Sequence, residues 1–204
     1  MPKSKEQFNV MRNVTKDKII AAGLKLFSHK GLAATSINDI ASHAGISTGL
    51  LYHYYKSKED LFNELTEITV NAANSIDEHI LNLNISPAEK MKLRIKEILY
   101  EISNEEKTAQ YIVLMAQSLL AGNMPERSME IREKEFESLD LLAKIITEGQ
   151  KLGEFKQGNP YEMALLYFSV IQGLASYKLM MGDKFVTPSA DLITALFINV
   201  NTKI

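Results

Sequence analysis

The sequence predicts an all-α protein of about nine helices, and three features predict it. Apolar residues recur three and four positions apart through most of the chain, the spacing that gives a helix one buried stripe. Prolines at 87, 125, 160 and 188 stand where such stretches begin, and glycines at 31, 45, 122, 149 and 153 where they end. No segment alternates apolar and polar residues with the period of two that a half-buried strand requires. At 204 residues, 46% of them hydrophobic, the chain has material for one or two domains around a full core.

Taken in order, the first predicted helix runs from Thr15 to His29 and closes near Gly31. Residues 1–12 read as a flexible arm, or as a basic arm lying along a polyanion. The second helix follows Ser36 as N-cap, places Ile37, Ile40, Ala41 and Ala44 on one stripe, and ends at Gly45. A short third helix starts at Ser47 or Thr48 and turns Leu51 and Tyr55 inward. The fourth spans Ser57 to about Asn82, with Glu59 and Asp60 in the first turn, where the helix dipole favours acids. Further helices are expected from Ser86-Pro87 to Ile102, from Glu105 to Ala121, and from Pro125 to Glu148. The last two run from Pro160 to Met181 and from Pro188 to Asn201.

The second and third helices form a compact unit around the Ala44-Gly45 turn. The third is buried on one side and presents Thr48, Gly49, Tyr52 and His53 on the other. A short helix with hydroxyls and aromatics outward suits insertion into a DNA groove, so this is a helix-turn-helix pattern. Ile40-Ala41, Ala44-Gly45-Ile46-Ser47, Gly49, Leu51-Tyr52, Tyr54-Tyr55 and Ser57-Lys58-Glu59-Asp60-Leu61 together resemble the TetR family of transcriptional repressors. The resemblance extends back through Ile19-Ile20-Ala21-Ala22, Leu24, Leu26-Phe27 and Gly31 and covers residues 15–65. It implies a three-helix DNA-binding domain over residues 1–62 and a larger helical ligand-binding and dimerisation domain over residues 63–204.

Charge agrees with that division. Residues 1–58 carry nine Lys/Arg against three Asp/Glu, a net of +6, and the remainder carries 14 against 22, a net of −8. A basic end on an acidic body attracts phosphate on one side and repels it on the other. An overall acidic chain is also a poor match for a sequence-neutral architectural DNA protein, the rival DNA-binding reading. An activator of the same fold is a second alternative. With no cysteine, disulfides and thiol redox sensing are excluded. The N-terminal stretch has no apolar core of the kind a signal peptide carries, and no run approaches the ~18 consecutive apolar residues of a membrane span. A cytoplasmic location without membrane attachment is expected.

For the recognition unit, Thr48 and Gly49 are placed near base edges, Gly49 through close backbone approach. Tyr52 is read as a phosphate or thymine-methyl contact. His53 either donates to phosphate or is simply solvated, and Asn38 has the same two readings. By the resemblance, Tyr54 and Lys58 grip phosphate, while Ser36 and Asn38 touch the DNA backbone; Ser47 completes the set. No arginine lies in residues 36–58, so bidentate Arg–guanine readout is absent from this unit.

The segments 160–181 and 188–201 are apolar nearly all round, which requires burial on more than one side. By the resemblance they pair across a two-fold axis into a four-helix dimer bundle, so the DNA operator is expected to be a near-palindrome. The family also implies a small-molecule pocket whose occupancy separates the recognition helices. Tyr100, Tyr111, Met115, Gln117, Phe136, Tyr167 and Gln172 are its candidate lining, for an apolar inducer. No cofactor or metal is expected. His29, His43, His53 and His79 show no metal-ligand spacing, Asp77-Glu78-His79 are consecutive helical positions that point in different directions and rarely converge, and no catalytic motif is present, so enzymatic activity is not expected.

Overall fold

The computed structural model describes residues 5–120 and 127–199, with the side chains of 5–9, 73–78, 119–120, 127–132 and 134–135 outside the description. Nine α-helices are found among the described residues: α1 (Lys5–Lys30), α2 (Ile37–Ala44), α3 (Thr48–Tyr52), α4 (Lys58–Leu81), α5 (Pro87–Asn104), α6 (Glu106–Leu120), α7 (Arg127–Lys151), α8 (Pro160–Met181) and α9 (Ala190–Thr194). The all-α expectation holds. Most boundaries fall within a few residues of those read from caps and prolines. Asp77 and Glu78 of the excluded acidic triplet have side chains outside the description.

Local chemistry explains the ends. Ser36 and Asp39 form a reciprocal capping box at α2, and Ser86 and Glu89 form another at α5. Ser57 caps α4 by accepting from the Asp60 amide at 3.1 Å. Asn159 accepts from the amides of Tyr161 and Glu162 at the start of α8. Gly45, at φ 68°, closes α2 in the left-handed conformation a side chain resists.

Two expectations fail at the chain ends. Helix α1 begins at Lys5, so residues 5–12 are helical and not a free arm; residues 1–4 lie outside the described residues. Thr15 is not a cap, because its hydroxyl donates back to the Met11 carbonyl at 2.9 Å and so stays inside the helix. The stretch from Glu6 to Asn13 has neither glycine nor proline to stop a helix, and strong formers such as Glu6, Met11 and Arg12 carry it. At the other end, the helix expected over 188–201 is only Ala190–Thr194, five residues. The chain then leaves the helix because Ile198 pairs antiparallel with Phe155, Lys156 N–H donates to Phe197 O at 2.8 Å, and Asn199 N–H donates to Glu154 O at 2.9 Å. Phe155 and Phe197, both fully buried, anchor that pairing.

Two large apolar cores organise the molecule. One joins α1 to α4 around Ile19, Leu24, Phe27, Ile40, Leu51, Leu61, Phe62 and Leu65, with Phe27 and Phe62 edge to face at 5.4 Å between centroids. The other is built from α5 to α9 around Ile95, Ile102, Ile146, Phe155, Ala164, Tyr167, Ile171 and Phe197. Leu114 of α6 belongs to the first core, and α4 continues unbroken past residue 62. Helix α8 with the 3₁₀ turn after it, Pro160–Lys184, is long and apolar enough by length and composition to cross a membrane. Here it packs against α6 and α7 on one side, and only 22% of the apolar window is buried.

Candidate DNA-binding surface and ligand cavity

The recognition unit is held rigidly from beneath. Leu51 is fully buried and Tyr55 nearly so, fixing the inner face of α3 to the first core. Burial, with the Glu64 carboxylate nearby, pushes the Tyr55 phenol far above its ordinary range, so it stays protonated. Ser47, itself exposed, caps α3 by accepting from the Leu50 amide at 3.2 Å. The Thr48 hydroxyl donates to Asn38 Oδ1 at 3.0 Å and ties α3 to α2. That contact leaves the Asn38 amide N–H groups as the outward donors. The Asp39 carboxyl is held below its ordinary range, chiefly by the hydrogen bond from the Ser36 hydroxyl, so the capping box is charged at neutral pH.

Above this base lies one exposed strip. It contains Ser36, Asn38, Ser47, Gly49, Leu50, Tyr52 and His53, with Thr48 half-buried among them. Tyr52 is 54% exposed and Leu50 39%. Leu50 went unnoticed in the sequence because an apolar residue next to a buried leucine reads as core; its 100° rotation from Leu51 was the available signal. Lys56 also went unnoticed. It is exposed and borders a shallow groove shared with Ser36, Ile37 and Tyr52.

Lys58 is placed differently from the expectation. Its ammonium donates to three carbonyl oxygens, Leu32 at 2.8 Å, Thr35 at 2.9 Å and Ala33 at 3.3 Å. An ammonium has three protons, so all are engaged within the chain, closing the turn between α1 and α2. The Tyr54 hydroxyl donates to Arg12 O at 3.4 Å and is likewise turned toward α1. Both residues brace the unit from the side.

The second feature is a cavity of ≈ 190 Å³ enclosed by α4 to α8. Ile98, Ile112, Leu141, Leu142, Ile145 and Phe168 give it an apolar wall, and Met115, Tyr167 and Gln172 of the expected set line it. The other expected residues lie elsewhere. Tyr100 and Phe136 are 69% and 57% exposed, since the buried stripe of α5 passes through Met91, Ile95, Ile98 and Ile102 and leaves Tyr100 on the far side, while Phe136 faces outward on α7. Tyr111 packs on the first core, and Gln117 donates to Ser28 O of α1 at 3.4 Å. Lys90 and Arg94, which the sequence reading did not single out, both reach the cavity. Their i, i+4 spacing on the same helix as Met91 and Ile98 was the usable signal.

Helix α6 serves both regions. Leu114 and Tyr111 pack on the DNA-binding core, while Ile112, Met115 and Ala116 line the cavity. His29 of α1 and Glu106 of α6 add a 3.8 Å contact across the same seam.

Comparison with known proteins places this geometry. The model of bacterial regulatory proteins of the tetR family matches residues 19–65. The transcriptional repressor KstR2 of Mycolicibacterium smegmatis is 29% identical over 69% of this chain and 67% of its own. Among solved structures, FadR of Bacillus subtilis in complex with stearoyl-CoA superposes with a TM-score of 0.64 at 23% identity, covering 89% of this chain and 96% of its own. AibR in complex with isovaleryl coenzyme A and operator DNA superposes at 0.69 and 14% identity, covering 89% and 94%. At those identities the two structures speak for the fold. Three-helix head, helical body and matched recognition unit agree: residues 19–65 match the DNA-binding module of the tetR family of bacterial regulatory proteins, and the chain as a whole is similar to helix-turn-helix transcriptional regulators of that family.

Proposed function

We propose that the protein is a repressor that binds a near-palindromic operator as a dimer and is released when a small, largely apolar molecule fills the cavity. The observation that carries this reading is α3 itself, a capped five-residue helix anchored by Leu51 whose free side offers Thr48, Leu50 and Tyr52 to a groove. In this reading Thr48, Gly49, Leu50 and Tyr52 face bases, while Ser36, Asn38, Ser47, His53 and Lys56 meet phosphates. Lys58 and Tyr54 support the unit from within. Leu50 and the Tyr52 ring suit thymine methyl groups, and specificity without arginine rests on such contacts and on DNA shape.

The dimer supports the reading from the opposite side of the molecule. Tyr161, Leu165, Leu166, Tyr177, Met180 and Met181 of α8 are exposed, as are Leu192 within α9 and Leu196 just after it. An apolar surface of that extent on a regulator fits burial against a second copy. With α9 so short, α8 supplies most of that face, and the four-helix bundle expected from two long helices per protomer is not part of this proposal. Two-fold pairing sets two α3 helices into successive major grooves roughly 34–36 Å apart or a multiple of it. A regulator of this kind works beside the chromosome, which suits a cytoplasmic protein with no catalytic role.

Release follows from α6. A ligand that binds better when the cavity walls spread shifts the population toward conformers in which α6 carries α1 and α3 with it. The operator affinity falls by that differential binding energy and no more. The relatives FadR and AibR were solved with acyl-coenzyme A thioesters, which supports a ligand with an apolar body.

The test is an anisotropy titration on duplex from the chain's own upstream region, at about 150 mM salt with excess random competitor. Competitor-resistant binding by the wild type, lost in Thr48→Ala/Tyr52→Ala, is expected. Binding displaced equally by every sequence would overturn the specific-repressor reading.

A further inference from the structure

We propose that Arg12, on the stretch of α1 that runs past the core of the three-helix head, holds a phosphate of the DNA backbone beside the groove entered by α3. The proposal rests on the DNA-binding reading above. It adds a contact from outside residues 19–65, the segment that the tetR family model matches.

The direction of Arg12 follows from the phase of its helix. Positions 12, 16, 19, 23 and 26 recur three and four apart and so share one side of α1. On that side Ile19 and Leu26 are buried in the head core, and a Cβ added at Gly23 would stand 2.6 Å from Leu61. The same stripe continues toward the N-terminus with Lys16 and Arg12, where core packing would ask for apolar side chains. Lys16 is answered by Glu64 of α4 at 2.7 Å. Arg12 stands about 10 Å along the helix axis from Ile19, beyond the end of the core, and is exposed. Among the described residues no carboxylate pairs with its guanidinium.

The recognition unit lies on that side of α1. The Tyr54 hydroxyl donates to the Arg12 carbonyl at 3.4 Å, which sets the root of the Arg12 side chain beside the residue that follows exposed His53. Arg12 is also the single arginine of residues 1–65, in a head whose residues 36–58 supply none. A charge kept only for solvation belongs on the outer side of a helix. This one continues the inner, core-facing stripe and ends next to the surface that meets a polyanion. A guanidinium there offers a permanently charged, planar fork that matches a pair of phosphate oxygens. Such a contact positions the protein on the duplex and carries no sequence information of its own.

The experiment uses the full-length protein in anisotropy titrations at about 50 and about 150 mM salt, on duplex from its own upstream region and on random duplex. Arg12→Gln, the charge-preserving Arg12→Lys, and Lys18→Gln are compared with wild type, each checked by thermal melting. Lys18 is exposed on the same helix, about 120° round from Arg12, and controls for the loss of one charge. One phosphate per protomer contributes about 1.8 to the salt slope of a dimer, so the wild type's advantage over Arg12→Gln should shrink about sevenfold as salt rises threefold. The loss should appear on both duplexes, Arg12→Lys should keep most of the slope, and Lys18→Gln should leave it close to wild type. An Arg12→Gln slope equal to that of wild type would overturn the contact. Equal flattening by Lys18→Gln would mean diffuse attraction to a basic head and would remove Arg12 from any particular role. A loss on the upstream duplex alone, at unchanged slope, would assign Arg12 to base edges and overturn the phosphate assignment. An Arg12-dependent slope without preference for the upstream duplex would count against the specific-repressor reading and leave this contact standing. A wild type that binds neither duplex would overturn both.

Discussion

Lys56 and Lys58 line the same shallow groove, yet in the proposed DNA complex they divide DNA-facing from structural charge within three residues of sequence. Lys58 Nζ holds the carbonyls of Leu32, Ala33 and Thr35, two of them part-buried, at 2.8–3.3 Å. Removing a charged donor from a part-buried acceptor costs about 1–1.5 kcal/mol, so Lys58→Met should cost about 2–3 kcal/mol, the exposed Ala33 contact adding little. For a chain of this size that lowers Tm by about 4–12 °C. Lys56 is exposed, so Lys56→Met should leave Tm within about 1–2 °C of wild type, the usual result for a surface change. Operator binding should show the reverse. Each phosphate contact contributes about 0.9 to the slope of log K against log salt, so Lys56→Met should flatten the slope by about that amount per protomer, while Lys58→Met keeps it. Differential scanning fluorimetry and anisotropy titrations from 50 to about 300 mM salt read both quantities. An unchanged Tm with a flattened slope for Lys58→Met would mean the ammonium leaves its three carbonyls for the DNA, refuting the assignment.

Three further outcomes test other parts of the structure. Leu50→Ala and Tyr52→Ala should each weaken operator binding by about 1–3 kcal/mol while non-specific binding persists, measured by competition between operator and random duplex. Gly149→Ala should destabilise by about 1–3 kcal/mol in urea unfolding, because an added Cβ would stand 2.0 Å from the ring of fully buried Phe155. The lowered Asp39 pKa stabilises α2 above the ordinary Asp value of about 3.9 and ceases to as pH falls through the lower folded value. Asp39→Asn should therefore be less stable than wild type at pH 7 and match it in strong acid, read from melting curves across pH.

The recognition unit was legible because its signals are local. A cap at Ser36, a glycine at Gly45 and anchors at Leu51 and Tyr55 lie within twenty residues, and each acts on its own backbone neighbourhood. What was missed depends on partners distant in sequence. Lys58 turns inward because carbonyls of residues 32–35 stand open beneath it, which no periodicity reveals. The last helix stops at Thr194 because Glu154, Phe155 and Lys156 compete for the backbone groups of residues 197–199. Tyr100 and Phe136 were assigned to the cavity as large groups near apolar helix faces; Tyr100 stands 100° round α5 from buried Leu99, and Phe136 is exposed on α7, so both lie outside it. Lys90 and Arg94 were not singled out, and a charge on an amphipathic helix normally marks its wet face.

Helix α6 makes the coupling between the two regions testable. Leu114 is fully buried and belongs to the DNA-binding core, although its helix lines the ligand cavity one residue further on, at Met115. Leu114→Ala should lower stability by about 2–5 kcal/mol, as buried leucines do. Stability loss alone can mimic weakened regulation, so Leu99→Ala is the control, a buried leucine of the second core that does not line the cavity. Both variants should show comparable losses in Tm. Only Leu114→Ala should shrink the factor by which a saturating effector weakens operator binding, by about 0.5–2 kcal/mol of coupling, because only there is the packing that transmits α6 movement removed. Equal effects on coupling would mean that transmission runs through global stability, and α6 would then be a wall of the cavity and a support of the head without linking them.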